Sequence, residues 1–190
     1  MSVWAASWES TSVVSSILWT IGHSNRQQRE FSDRLLAESI EAVADVRRFP
    51  GSRRCPHFNR EAMDAALQEV GLVYRHFPEL GGRRTKRAES SPNTAWRVEA
   101  FSAYADYMLS SEFAAAFAEL SEFALRKRTA IMCAEALPWR CHRRLIADQF
   151  IARGWQVFDI VGPGQVKEHA LPDFAKVVNG RVTYPGETLF

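Results

Sequence analysis

Two cysteines, Cys133 and Cys141, are separated by seven residues, and the second is followed directly by His142 and Arg143. A thiol beside an imidazole and a guanidinium is the setting that turns cysteine into a nucleophile, and the start of a helix at Cys141 adds the helix dipole to the same effect. The spacing leaves three readings open. Cys141 is an activated nucleophile, or Cys133, Cys141 and His142 hold zinc or another divalent metal, or both thiols are packing residues. The tight Cys-x2-Cys spacing of structural zinc sites is missing, so no cofactor is expected and the metal stands as the alternative. A phosphatase-type loop is excluded, because the six residues between Cys133 and Arg140 are too long a spacer for it.

Other residues around this segment suit acid and base work. Asp45 and Glu135 each follow a short apolar run, and two carboxylates on one rim divide into acid and base when their surroundings push their pKa values apart. Their simpler fate is an ion pair with Arg47, Arg48 or Arg143. His23, set between Gly22 and Ser24, projects from a glycine turn and serves either in catalysis or as a tie for its loop. His23, Asp45, Glu135 and Cys141 are thus the catalytic candidates. Substrate contacts are assigned loop by loop: Ser24 and Asn25 in the first, Arg47, Arg48 and Ser52 in the second, Gly81 and Gly82 in the third, and Cys133, His142 and Arg143 in the fourth.

The basic residues number 24, of which 20 are Arg and 4 Lys, and Arg suits planar recognition of phosphate or carboxylate. A GC-rich coding sequence explains a high total equally well, so placement is the more telling observation. Residues 46–60 hold five Arg and His57 with no acid; Arg83, Arg84, Lys86 and Arg87 form a second cluster, and Arg140, His142, Arg143 and Arg144 a third. The expected partner is an anionic small molecule or a nucleic acid.

The elements that must position these residues alternate. Strands are expected over 16–21, 42–46, 72–77, 129–133 and 155–161, and helices over 27–39, 59–70, 96–108, 111–126 and 138–154, from apolar spacing, caps and glycine stops. Such alternation predicts one α/β domain over 17–190, a three-layer sandwich around a mostly parallel sheet of about five strands. Residues 83–95, rich in charge, Ser and Pro, read as a mobile loop or lid. Asn179-Gly180 between two β-favouring runs predicts a hairpin appended over 174–186. Open sheets of this kind bind ligands beyond the carboxyl ends of their strands, and all four polar loops fall there.

Composition agrees with a single folded domain: 190 residues, 46% hydrophobic and 24% charged, with a net charge of +2. No run reaches the roughly 20 apolar residues of a membrane-spanning helix, so no membrane partner is expected. Residues 1–16 lack a basic stretch before an apolar one and read as a flexible tail, not a secretory leader, which points to the cytoplasm. Three cysteines cannot all pair within one chain, and a reducing compartment keeps them as thiols. The G-x-G-x-x-G and P-loop signatures of nucleotide-binding folds are missing.

Taken in order, Thr20-Ile-Gly-His-Ser-Asn25, Asp45-Val-Arg47 with Pro50 and Ser52, Leu80-Gly-Gly82, and Cys133-Ala-Glu135 with Cys141-His-Arg143 form a recognisable set. Phe58, the helix with Phe101, Tyr104 and Met108, and the tail from Phe174 to Pro185 extend it. The sequence resembles the bacterial family of domain of unknown function 488 over about residues 18–185. The resemblance implies an α/β, cytoplasmic protein and carries no established reaction. Two functions are consistent with the residues. One is an enzyme, a hydrolase or transferase, acting on a phosphate- or nucleobase-containing anion; the other is a nucleic-acid-binding or adaptor protein whose Arg loops meet phosphates.

Overall fold

The computed structural model describes residues 16–84 and 88–186. Eight strands and five helices follow one another as β1 (Ile17–Gly22), α1 (Gln28–Ala37), β2 (Ala42–Asp45), α2 (Arg60–Glu69), β3 (Val73–His76), α3 (Glu99–Tyr107), α4 (Ser111–Arg126), β4 (Thr129–Cys133), α5 (Arg143–Ala152), β5 (Gln156–Gly162), β6 (Gln165–Glu168), β7 (Lys176–Val178) and β8 (Arg181–Thr183). The main sheet has the order β3-β2-β4-β1-β5-β6, with the first five strands parallel and β6 antiparallel on β5. A sixth strand thus extends the five expected. Gln165-Val-Lys-Glu alternates on a largely exposed edge and carries no apolar run to betray it.

The chain steps from β1 to β2 to β3 in one direction and from β3 to β4 to β5 in the other. Right-handed crossovers therefore put α1 and α2 on one face of the sheet and α3, α4 and α5 on the opposite face. The buried side chains divide accordingly. Trp19, Ile21, Val43 and Met132 pack with Phe31, Leu35, Met63 and Leu67 of α1 and α2, while Leu18, Ala44, Ile131 and Cys133 pack with Tyr104, Phe117, Leu145 and Ile146. Successive strand residues alternate between these cores, as the pleat requires. The reversal of direction falls between β1 and β4, whose following loops leave toward opposite faces. Such a switch point opens a crevice at the carboxyl edge.

Gly22 sits at this point because the loops meet there. A Cβ on Gly22 would lie 1.9 Å from the Glu135 carbonyl oxygen, so any other residue would force the two loops apart. His23 N–H and Ser24 N–H then donate to the Cys133 and Ala134 carbonyls at 2.9 Å each and tie the β1 loop to the β4 loop.

The tail forms the expected hairpin, β7 paired antiparallel with β8, and its turn residues Asn179 and Gly180 take φ values of 51° and 71°. Both are left-handed, the conformation that an Asn-Gly turn supplies between twisted strands. The expected tail at 1–16 falls outside the described residues except for Ser16, and so do residues 85–87 of the expected lid. In the rest of that segment, Ala88 N–H, Ser91 Oγ and Asn93 Nδ2 all donate to the Asp106 carboxylate of α3, and the Asn93 side-chain oxygen accepts from Tyr184 N–H.

Candidate active site

The period of the strands distributes the chemistry-bearing residues over two pockets of polar contacts that share one edge. Cys133, the last residue of β4, faces α5. Before that helix begins, Pro138, Trp139 and Arg140 make a single 3-10 turn closed by Cys141 N–H on the Pro138 carbonyl, and His142 then caps α5. The helix starts five residues later than sequence spacing suggests, because Pro138 opens the tighter turn. That turn presents Cys141 and His142 to Cys133. The Nδ1 atom of His142 lies 3.9 Å from the Cys133 sulfur and 3.7 Å from the Cys141 sulfur.

The orientation of His142 follows from its other nitrogen. Nε2 is 2.9 Å from the Val46 carbonyl, which only accepts, so Nε2 carries the proton and the Nδ1 lone pair is turned toward both thiols. The ring lies against Tyr104 at 5.2 Å between centroids. Gly82 lies beside the same ring, where a Cβ would come within 2.8 Å of Nδ1. Both sulfurs are buried. The Cys133 thiol is pulled well below the ordinary range, first by the hydrogen bond from Cys141 and then by His142 and Arg143 against the cost of burial. Cys141, which donates that bond, is pushed well above it. The two thiols are thus driven in opposite directions, Cys133 toward the thiolate and Cys141, which keeps its proton, toward the thiol.

Asp45 faces the other side of the sheet. Its carboxylate, fully buried, accepts from Arg47 Nε at 2.9 Å, Arg47 Nη2 at 2.6 Å, the Arg47 backbone N–H at 3.0 Å and the Tyr74 hydroxyl at 2.6 Å. Arg47 Nη1 in turn lies 3.1 Å from His23 Nε2. His23 Nδ1 is 2.7 Å from the Ser24 carbonyl and carries the proton, so Nε2 accepts from Arg47 and both ring nitrogens are used. Burial, then the Arg47 charge, lowers the His23 pKa to about 4, and the ring stays neutral, stacked on Phe58 at 4.2 Å. The group is contiguous with the thiols through Val46, whose carbonyl holds His142.

The remaining candidates take varied places. Arg143 is fully buried and turns its guanidinium onto the Glu135 and Ala136 carbonyls and toward the Thr20 hydroxyl, holding the β4 loop in shape. Glu135 meets Arg143 through its backbone, and its carboxylate is exposed. The Ser52 hydroxyl accepts from Arg54 N–H and Cys55 N–H and organises its own loop. Ser24 has a positive φ of 54°, and its hydroxyl reaches the Asn25 side-chain oxygen. Arg48 is exposed, and its backbone abuts Gly81. Arg47 and Arg143 thus direct their N–H groups into the protein, whereas Arg48, Arg83 and Arg140 face solvent.

Sequence reasoning missed a buried network beside this site. His169 sits between Asp148 (2.9 Å) and Asp159 (2.8 Å), the Tyr184 hydroxyl donates to Asp148 at 2.7 Å, and the Thr20 hydroxyl donates to Asp159 at 2.5 Å. Arg143 joins it at Thr20, 3.4 Å away. Its one sequence signal is Asp148, an acid in the middle of a helix that is apolar on both sides of it.

Fold and site together define an α/β protein with a thiol–imidazole cluster at the switch point of a mostly parallel sheet. A family model described as Domain of unknown function DUF488 matches residues 27–150, and the chain belongs to that family. No curated protein and no solved structure matches the chain. Among the described residues no helix is long and apolar enough to cross a membrane.

Proposed function

We propose that the protein is an enzyme of the hydrolase or transferase type acting on an anionic substrate at the carboxyl edge of the sheet. The observation that supports it most is the set of Cys133, Cys141 and His142 donor atoms, all within 4.8 Å of one another, with His142 turned by Val46 so that its lone pair meets both thiols. Packing alone requires no such orientation. In this reading the Cys133 thiolate attacks the electrophilic atom of the substrate, a bond from that atom to sulfur forms, and its bond to the leaving group breaks. Cys141 delivers its proton to the leaving group, and water or an acceptor then releases the substrate fragment from sulfur. Exposed Arg48, Arg83 and Arg140 offset the charge of the substrate. Neutral His23 and the saturated Asp45 carboxylate hold Arg47 and the β2 loop in place.

Alkylation by a small uncharged electrophile, followed by mass spectrometry, tests this. Cys133 is expected to react faster than Cys55 at neutral pH, and inorganic phosphate is expected to slow it. Equal slow rates at both thiols would return Cys133 to packing.

The same three donors favour a second reading, in which they hold zinc or another soft divalent ion. Two thiolates and an imidazole whose far nitrogen bonds a backbone carbonyl form a fitting donor set, and the ion would supply a Lewis acid with one position open. Metal content of protein purified without chelator decides: near-stoichiometric zinc supports this reading, and none removes it.

A further inference from the structure

Two aromatic rings stand out at the same edge because the fold leaves them bare. Phe49 is 64% exposed and Trp139 is 49% exposed, although other rings beside the site are packed, Phe58 on His23 and Tyr104 on His142. Phe49 lies on the loop after β2 and Trp139 on the loop after β4, two residues from Cys141. Each borders a cleft. The cleft at Phe49, about 590 Å³, is lined also by Arg48, Glu79, Arg84 and Tyr107. The cleft at Trp139, about 180 Å³, is lined also by Arg144, Lys167, Glu168 and His169, and lies toward β5 and β6.

Cations lie against the Phe49 ring, and Arg144 and Lys167 line the cleft at Trp139. The Arg48 and Arg83 guanidinium carbons lie 5.8 Å and 5.9 Å from the Phe49 centroid, and Arg84 covers the Tyr107 ring at 3.6 Å. Residues 46–60 carry five Arg and no acid. A bare ring beside guanidinium groups satisfies both parts of a nucleotide at once, the π-face of the base and the phosphate. A small inorganic anion needs no ring, and an apolar partner surface needs no cations.

We propose that the substrate at this edge is a single-stranded nucleic acid, with bases stacked on Phe49 and Trp139 and the phosphates between them on Arg48, Arg83 and Arg140. This rests on the reading of the thiol cluster as the reactive centre, to which Trp139 is joined by two residues of chain. A duplex hides the base faces that the rings require, and two rings on separate loops call for more than one base.

Fluorescence anisotropy of labelled oligo(dT) with the intact protein tests the proposal. Binding is expected to weaken with salt, with a log-log slope of about −0.7 for each phosphate contacted. Phe49→Ala and Trp139→Ala are each expected to weaken it about 5- to 140-fold, the equivalent of one stacked base. Phe49→Leu and Trp139→Leu should fall in the same range, since they keep apolar bulk and lose the π-face. Both side chains are exposed, so the variants fold. Parent-like affinity in the ring variants, equal binding of a duplex, or no binding at all would overturn the proposal. Cys133 alkylation in the same samples separates the two readings. A reactive, phosphate-protected thiol in a protein that ignores oligo(dT) overturns the strand and upholds the enzyme, whereas ring-dependent binding beside an inert thiol upholds the strand and overturns the catalysis.

Discussion

His169 makes stability depend on pH in a direction opposite to the common one. Asp148 and Asp159 accept at its two ring nitrogens, and carboxylates only accept, so both nitrogens carry protons and the ring is an imidazolium. Burial by itself lowers its pKa, but the hydrogen bonds and charges of Asp148 and Asp159 outweigh it and raise the value from 6.5 to about 9. A group whose pKa is raised by folding binds its proton more tightly in the native state. Its contribution is complete below the unfolded value of 6.5 and is lost as pH rises through about 9. With 1.36 kcal/mol for each pKa unit, the stake is about 3 kcal/mol.

Against a domain stability of roughly 5–15 kcal/mol that is a large fraction, and it corresponds to a Tm difference of roughly 6–12 °C at this chain length. Thermal unfolding followed by circular dichroism between pH 6 and pH 9.5 reads it. Parent protein is expected to lose Tm through this window. His169→Gln is expected to start lower, because two buried carboxylates then lack their cation, and to lose much less as pH rises. The difference between parent and variant isolates the histidine from the other groups of the protein. Parallel Tm curves for the two proteins would refute the imidazolium and with it the charge balance, in which His169 and Arg143 offset Asp148 and Asp159.

Three further perturbations test the site. Asp45→Asn leaves the Arg47 guanidinium buried without its counter-charge and is expected to cost about 3–5 kcal/mol in urea unfolding, whereas a loss below 1 kcal/mol would show that water reaches it. Gly82→Ala brings a Cβ within 2.8 Å of His142 Nδ1, so the ring must shift and Cys133 alkylation should slow at least several-fold with little change in Tm; an unchanged rate would detach His142 from the thiol's reactivity. Cys141→Ala removes the hydrogen bond that most acidifies Cys133, and the pH-rate profile of Cys133 alkylation is expected to move to higher pH. A profile that stays in place would assign the acidification to His142 and Arg143.

What a sequence discloses depends on whether the signal is local. Strands β1, β2, β4 and β5 are buried apolar runs, and Asn179-Gly180 is a turn written in two residues, so these elements and their order were legible. β6 was not, because an exposed edge strand has no core face to pattern it. The four polar loops were legible as one edge, since parallel strands send all their carboxyl ends the same way. Which residues touch across that edge was not legible, because it depends on the parity of each strand's last residue and on strand neighbours. Asp45 closes β2 facing α1 and α2, and Cys133 closes β4 facing α5, so the carboxylate pairs with Arg47 and the sulfur meets Cys141 and His142. The His169 network lies furthest from sequence, since Thr20, Asp148, Asp159, His169 and Tyr184 come from five separate places in the chain and none has a local partner. Each alone looks like surface, and only the fold puts two carboxylates on one ring. Arg47, Asp45 and Arg143 are held by the protein they shape, so the proposed reactivity rests on the thiols, His142 and the exposed arginines, the groups whose capacity the fold leaves unspent.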